Sequence, residues 1–190
     1  QGISDPTVVV LGHGFARGAG VMSGWAEQLS SWGVEVLLPT LCHYNIFSGV
    51  DHEMNGYNMK ELASLHGSSR VIYAGHSAGG LAAIIAASQD PNALGVVGLD
   101  TTDTEDIPGI PDNIGQGYAS SITCPSFYLM GEPSTCNSSN NGLDLFRMIE
   151  NYNAVKITSS DHCDFENPTD AVCEAGCENP TVLFGDDTKW

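Results

Sequence analysis

Short apolar runs alternate with amphipathic stretches along most of the chain. Runs rich in Val, Leu and Ile occupy residues 7–11, 34–38, 71–74, 96–99, 126–130 and 154–158. Because they are apolar at nearly every position, they are typical of strands that are buried on both faces of a parallel sheet. Six mostly parallel strands are therefore predicted.

Helical patterns fall between these runs. Residues 21–32 place Val21, Trp25, Leu29 and Trp32 on one face, and Gly33 ends the pattern. Residues 78–88 and 143–151 predict two more helices, and Asn167-Pro168 is typical of an N-cap followed by the first residue of a short fourth helix. The stretches 41–69 and 101–122 are predicted as long connections that wall the substrate site. Strands that alternate with helices predict an α/β fold, and the length suits a single domain over residues 1–190.

The charge balance excludes some partners. The chain has 23 acidic and 6 basic residues, which gives a formal net charge of −17. Such a surface repels nucleic acid and anionic membranes. No apolar run approaches the length of a membrane span, so no transmembrane segment is expected. A monomer is expected.

The cysteines indicate an oxidising compartment. Six cysteines permit up to three disulfides, whose pairing the sequence leaves open. Zinc sites need paired cysteine or histidine spacings that this chain lacks, so no metal is expected. The chain starts at Gln1, as expected of a secreted protein after removal of a signal peptide. Asn137-Ser138-Ser139 is one glycosylation sequon.

The strongest chemical signal is Gly75-His76-Ser77-Ala78-Gly79. The pattern Gly-x-Ser-x-Gly is weak alone, but here it lies between a predicted strand and a predicted helix. That setting is the one a nucleophile elbow requires, with the serine hydroxyl exposed on a tight turn at a helix N-terminus. Ser77 is therefore the candidate nucleophile; the alternative is a Gly-Ser turn that merely begins a helix.

A serine nucleophile needs a base and an acid that orients the base. Among the histidines, His162 alone follows the elbow, and it comes just after the last predicted strand, which makes it the candidate base. Asp100 and Glu132 each follow a strand and compete as the acid, with Asp103 as a weaker option. Since each lies at the carboxyl end of a strand, the pattern does not choose between them.

The remaining site residues come from the turns beside the nucleophile. Backbone N–H groups of Ala78 and Phe15 are predicted to form the oxyanion hole. His13, Gly14, His76 and Phe47 are predicted to contact substrate, and Ile46 and Ile107 to contribute to an acyl pocket. Ordinary packing is the alternative interpretation for each of these apolar side chains.

These motifs resemble a known group. Leu11-Gly12-His13-Gly14-Phe15, the elbow, Gly98-Leu99-Asp100 and His162 with Phe165 resemble chlorophyllases, dienelactone-hydrolase-like esterases and platelet-activating-factor acetylhydrolases of the α/β-hydrolase superfamily. The resemblance implies that Asp100 is the acid, whereas cutinase-like and bacterial lipase relatives would favour Glu132. It also implies a minimal α/β-hydrolase fold, since the chain lacks the leading strands of the family and a large lid insertion.

The sequence thus predicts a serine carboxylic ester hydrolase that acts through an acyl-enzyme on short to medium acyl esters. Lipase, cutinase-like polyester hydrolase and thioesterase share the same triad and remain open. A binding protein with an unused Ser77 is the non-enzymatic alternative. A small-molecule or lipid-like ester is the expected partner, and no cofactor is expected; the acidic run 100–106 lacks the spacing of a calcium loop.

Overall fold

The structure is a computed structural model that describes residues 6–45, 49–104 and 111–178. Its strands are β1 (Val8–Gly12), β2 (Glu35–Leu37), β3 (Tyr44–Asn45), β4 (Gly49–Val50), β5 (Val71–His76), β6 (Ala93–Leu99), β7 (Ser126–Met130) and β8 (Tyr152–Lys156). Its α-helices are α1 (Ser23–Ser31), α2 (His52–His66), α3 (Ala78–Ser88), α4 (Gln116–Ala119), α5 (Gly142–Arg147) and α6 (Ala171–Glu178). Short 3-10 helices cover Ala19–Met22, Ser138–Asn140 and Cys163–Phe165.

Six of these strands form one sheet in the order β2-β1-β5-β6-β7-β8. Every neighbouring pair in it is parallel, which confirms the prediction of a mostly parallel six-stranded sheet. All carboxyl ends therefore lie at one edge, where the loops after β1, β5, β6, β7 and β8 meet. The antiparallel pair β3-β4 lies outside this sheet and had no counterpart in the sequence prediction.

Helices cover both faces of the sheet, because successive side chains of each strand point to opposite faces and both sets are apolar. Val10, Tyr73 and Val96 pack with α2, α3 and α5 in the larger core. Val9 and Leu11 pack on the other face, with Met22 and Phe165. Helix α3 is buried over nearly its whole length, as its run of Ala, Leu and Ile predicts.

Helix α2 corrects the prediction that residues 41–69 form a connection without secondary structure. It has ordinary boundaries: the Asp51 carboxylate accepts a hydrogen bond from the Met54 N–H at 2.8 Å, and Gly67 ends the helix with φ 83°. Its buried face contains His52, Asn55 and Gly56, so the apolar periodicity is weak. A Cβ on Gly56 would lie 2.5 Å from Ile85 Cγ2, so the glycine lets α2 approach α3 closely.

Three further expectations were wrong in detail. Trp32 does not share the buried face of α1, since 72% of its surface is exposed. Asn167-Pro168 joins through a cis peptide bond and does not open a helix, because α6 begins at Ala171. The connection 101–122 contains the short helix α4.

Two disulfides, not three, are present in the described part of the chain. They join Cys136 to Cys177 and Cys163 to Cys173. Cys42 and Cys124 are free thiols. No helix in the described ranges is long and apolar enough to cross a bilayer.

Candidate active site

Ser77 lies on the turn between β5 and α3. It has φ 53° and ψ −125°, a conformation that non-glycine residues rarely adopt and that concentrates at functional sites. Its N–H donates to the Leu99 carbonyl at 3.0 Å, which ties the turn to β6. A Cβ on Gly75 would lie 2.2 Å from the Gly79 carbonyl oxygen, so the turn closes only with glycine there. The side chain of Ser77 thus stands at the carboxyl edge of the sheet, before the N-terminus of α3.

His162 and Asp100 are in contact, although 62 residues separate them in sequence. His162 Nδ1 lies 2.7 Å from Asp100 Oδ2, and Asp100 is fully buried directly after β6. The carboxylate accepts, so the imidazole carries its proton on Nδ1 when neutral. Nε2 of His162 is then left without a proton and can accept one.

Asp100 has further hydrogen bonds that hold its carboxylate in place. Oδ1 accepts from the Gly131 N–H at 2.8 Å, and Oδ2 accepts from Asn137 Nδ2 at 3.0 Å. These donors stabilise a buried negative charge that would otherwise be costly.

The other two candidate acids make different contacts. Glu132 pairs with Lys156, its side chain is 46% exposed, and the Lys156 hydrogen bond lowers the pKa of its carboxyl group. Asp103 is buried, and its Oδ1 accepts from the Thr104 N–H at 2.8 Å and the Gly115 N–H at 3.0 Å. The structure therefore places Asp100, and neither alternative, against His162.

The turn after β1 lies against the elbow. A Cβ on Gly14 would be 3.3 Å from Ser77 Cβ and 3.2 Å from His76 Nδ1, so the backbone of this turn lies close to Ser77 and its neighbour. Phe15 and Ala78, the predicted oxyanion donors, line the same cavity as Ser77. The geometry brings both backbone segments to one place.

His13 has a role in packing that the sequence prediction missed. It is completely buried, its Nδ1–H donates to the Gly14 carbonyl at 2.8 Å, and its Nε2 accepts from the Leu41 N–H at 2.9 Å. Burial lowers the pKa of its imidazole, and the ring is neutral because Nε2 accepts a hydrogen bond. His13 is not among the residues that line the cavity, and its contact with substrate stays a prediction. Phe47, Ile46 and Ile107 lie outside the described residues.

A cavity of about 90 Å³ opens beside Ser77 and His162. Much of its wall is apolar and comes from Phe15, Ala78 and Gly176 together with the two disulfides. His52 also lines it; burial lowers the pKa of this imidazole to about 4, so the ring is neutral. The small volume suits a small group.

Helix α6 forms one side of this cavity and carries a cysteine of each disulfide. Cys163 follows His162 directly, and Cys136 precedes Asn137, the donor to Asp100. The sulfur atoms of Cys163 and Cys177 are 3.5 Å apart. Because these atoms are oxidised, they offer no thiolate to a metal.

The sequence analysis missed two groups at this site. Asn137 belongs to the sequon, but its side chain is buried and its amide is used by Asp100 and by the Glu132 carbonyl at 2.9 Å. Arg17 and Glu166 form a buried ion pair beside the cavity. No local pattern signals a pair 149 residues apart.

Comparison with known proteins places the fold. No protein-family model and no curated protein matches the sequence. Est1E from Butyrivibrio proteoclasticus, solved with ferulic acid bound, has a TM-score of 0.70 and 15% identity, over 94% of this chain and 90% of its own. A thermophilic esterase from Thermogutta terrifontis has a TM-score of 0.68 and 17% identity, over 95% and 91%.

A lipase gives a similar result. The monoacylglycerol lipase of Paleococcus ferrophilus has a TM-score of 0.66 and 16% identity, over 83% of this chain and 88% of its own. At such identities the likeness concerns the fold. The narrower resemblance to chlorophyllases, dienelactone-hydrolase-like esterases and acetylhydrolases stays a prediction.

Proposed function

We propose that this chain, which has the α/β-hydrolase fold, is a carboxylic ester hydrolase that acts through an acyl-enzyme at Ser77. The observation that carries the proposal is the 2.7 Å contact between His162 Nδ1 and the fully buried Asp100, at the sheet edge that also holds the strained Ser77 turn. A serine, a neutral imidazole and an ordered carboxylate together are the parts that acyl transfer needs.

The proposed mechanism has two half-reactions. Ser77 Oγ attacks the ester carbonyl while His162 Nε2 takes its proton, and the resulting imidazolium donates to Asp100. The tetrahedral oxyanion is stabilised by the N–H groups of Phe15 and Ala78, where one such donor contributes about 3 kcal/mol. His162 then protonates the departing alcohol, and the acyl-enzyme forms. Water deprotonated by His162 hydrolyses it, which regenerates Ser77 and releases the acid.

The cavity supports a preference for small acyl groups. A volume of about 90 Å³ holds a short chain, and the walls from Phe15, Ala78 and the Cys136–Cys177 disulfide are apolar. Short to medium acyl esters are therefore the proposed substrates. Long-chain lipase, polyester hydrolase and thioesterase activities are the alternatives, since each uses the same chemistry.

Two disulfides support a secreted protein, because such bonds persist in oxidising compartments. The net charge of −17 supports a partner that is neither nucleic acid nor an anionic membrane. A monomer is proposed, with a small ester as its ligand.

Hydrolysis of p-nitrophenyl esters from acetate to palmitate tests the function, with Ser77→Ala as the inactive variant and Ser31→Ala, at an exposed serine of α1, as the matched control. Turnover highest on short chains and abolished only in Ser77→Ala is expected. Turnover that rises toward palmitate would favour a lipase. No Ser77-dependent turnover on any oxygen ester or thioester, with no fluorophosphonate label on Ser77, would favour the binding protein.

A further inference from the structure

A buried ion pair joins the segment after β1 to the segment after β8. Arg17 Nε donates to Glu166 Oε1 at 2.7 Å and Nη2 donates to Oε2 at 2.8 Å. The two side chains are only 8% and 0% exposed. Removing two charges from water is costly unless geometry and hydrogen bonding compensate, so a pair this deeply buried calls for a specific role.

The two segments carry different parts of the proposed reaction centre. Arg17 follows Phe15 by two residues, and its N–H donates to the Gly14 carbonyl at 3.3 Å. Glu166 follows His162 by one turn of 3-10 helix, and its N–H donates to the Cys163 carbonyl at 3.0 Å. The ion pair therefore links the turn that bears a proposed oxyanion donor to the loop that bears the proposed base.

His76 fills the space between these segments and touches each of them. Its Nε2–H donates to the His162 carbonyl at 3.0 Å, and the centroids of the His76 and His162 rings lie 4.5 Å apart. Its Nδ1 is 3.8 Å from Glu166 Oε1 and would be 3.2 Å from a Cβ on Gly14. Burial holds the pKa of His76 well below its usual range, and His162 and Arg17 lower it further. The charge of Glu166 is thus met by Arg17 and not by a protonated His76.

We propose that Arg17, Glu166 and His76 are positioning residues that hold the turn bearing Phe15 in register with the loop bearing His162. This inference rests on the proposed ester hydrolysis. None of the three groups exchanges a proton with substrate. Their effect is on the geometry of the reacting atoms, where a displacement of about 1 Å can lower the rate about 100-fold.

Other hydrogen bonds also hold the segment around Glu166 in place. Loss of the ion pair can therefore affect the position of the segment without unfolding it. Trp25 Nε1 donates to the Phe165 carbonyl at 2.9 Å. The Gly24 N–H donates to the Asn167 carbonyl at 2.6 Å, and the Asn167 N–H donates to the Val21 carbonyl at 2.7 Å. These bonds do not involve the ion pair, so we expect the segment to stay attached in variants that lose the pair while its register with the Phe15 turn changes.

The test compares Arg17→Met, Glu166→Gln and Arg17→Lys with the double variant Arg17→Met/Glu166→Leu. Arg147→Met is the matched control, because it breaks the exposed 3.0 Å pair with Asp144, and neither of these residues lines the cavity. Rates of p-nitrophenyl acetate hydrolysis are divided by the number of Ser77 sites that a fluorophosphonate titrates. The kcat of every variant then refers only to molecules whose Ser77 reacts with the label, so misfolded protein does not lower it.

We expect Arg17→Met and Glu166→Gln to lower kcat about 10- to 100-fold with KM changed by less than about twofold. Arg17→Lys keeps the charge but not the two-point contact, so it should recover part of the rate. The double variant should be as slow as the single ones, since it removes the buried charge but does not restore the link. Arg147→Met should match wild type.

Other results would overturn the proposal. Full recovery in the double variant would mean that an unpaired charge, not lost register, slows the single variants. A raised KM at unchanged kcat would make Arg17 a substrate ligand. If the Arg17 and Glu166 variants had the same kcat as Arg147→Met, the ion pair would have no positioning role. A wild-type protein with neither turnover nor labelling at Ser77 would instead overturn the proposed function, and the positioning role with it.

Discussion

Asn137 donates from Nδ2 to Asp100 Oδ2 at 3.0 Å, the same oxygen that lies 2.7 Å from His162 Nδ1. One carboxylate oxygen thus serves both the imidazole and a buried amide. The amide fixes the carboxylate rotation, because its second contact, to the Glu132 carbonyl at 2.9 Å, anchors it to the loop after β7.

Replacing Asn137 should therefore slow the reaction. Asn137→Ala removes a hydrogen bond to a charged group, a loss of about 1.5–3 kcal/mol, so kcat should fall about 10- to 100-fold. Ser139→Ala removes the sequon but keeps the amide, and should retain wild-type kcat. Since Asn137 is buried, the intact mass of protein secreted from a eukaryotic host should show no glycan; a glycan lost in Ser139→Ala would contradict this geometry.

The choice between the two candidate acids can be measured directly. Asp100→Asn should lower kcat by about 10⁴-fold, because the amide reverses the hydrogen bond that orients His162. Glu132→Gln affects only surface contacts, with Lys156 and the Ser159 N–H, and should change kcat by less than about twofold. A greater loss in Glu132→Gln, measured per titrated Ser77, would transfer the acid role to Glu132.

His52 predicts acid sensitivity of the fold. Its pKa falls from 6.5 to about 4 on burial. Between these values the unfolded chain binds a proton that the folded chain does not, so the free energy of unfolding decreases as pH falls from 6.5 to 4. The loss from this residue is about 3 kcal/mol. Burial lowers the pKa of His13 and His76 also, which adds to the same trend.

Urea unfolding at pH 7 and pH 4 measures this effect. His52→Gln should lose less stability over that interval than wild type. His66 is a partly exposed histidine that pairs with Glu35 on the surface. His66→Gln should lose as much unfolding free energy between pH 7 and pH 4 as wild type does. If all three proteins lost the same unfolding free energy between pH 7 and pH 4, His52 would be protonated in the folded state as readily as in the unfolded state.

The disulfides should stabilise the fold to different extents. Cys136–Cys177 closes a separation of 41 residues and Cys163–Cys173 one of 10. Loop entropy predicts losses of about 4 and about 3 kcal/mol when each pair is changed to alanine. Both double variants should also lower kcat, because Cys136 adjoins Asn137 and Cys163 adjoins His162. Cys42→Ala is the control, and a destabilisation of that variant equal to the others would contradict this account.

The sheet could be predicted from sequence because its signal is local. The apolar runs predicted all six strands, and the glycines around Ser77 indicated the sharp turn. Helix α2 was missed because His52, Asn55 and Gly56 face the core, and small or polar residues produce no apolar stripe. Trp32 was misplaced because a helical pattern continues past the residue where the buried face ends.

The site could be predicted only in part, for a similar reason. Strand ends and the order along the chain indicated Ser77, His162 and the candidate acids, whose roles stay predictions. The contact that distinguishes Asp100 from Glu132 is made across 62 residues. The pairing of Arg17 with Glu166 spans 149 residues, and such a contact leaves no mark on either local sequence.

The order of the strands has a consequence for synthesis on the ribosome. Every strand of the sheet precedes His162, so a nascent chain that ends after β8 holds Ser77 and Asp100 but lacks the His162 imidazole. Glu166 and the cysteines of α6 emerge later still. Under the proposed function, such a nascent chain cannot yet hydrolyse esters, and the reaction becomes available once residues 162–166 have been synthesised and contact the turn after β1.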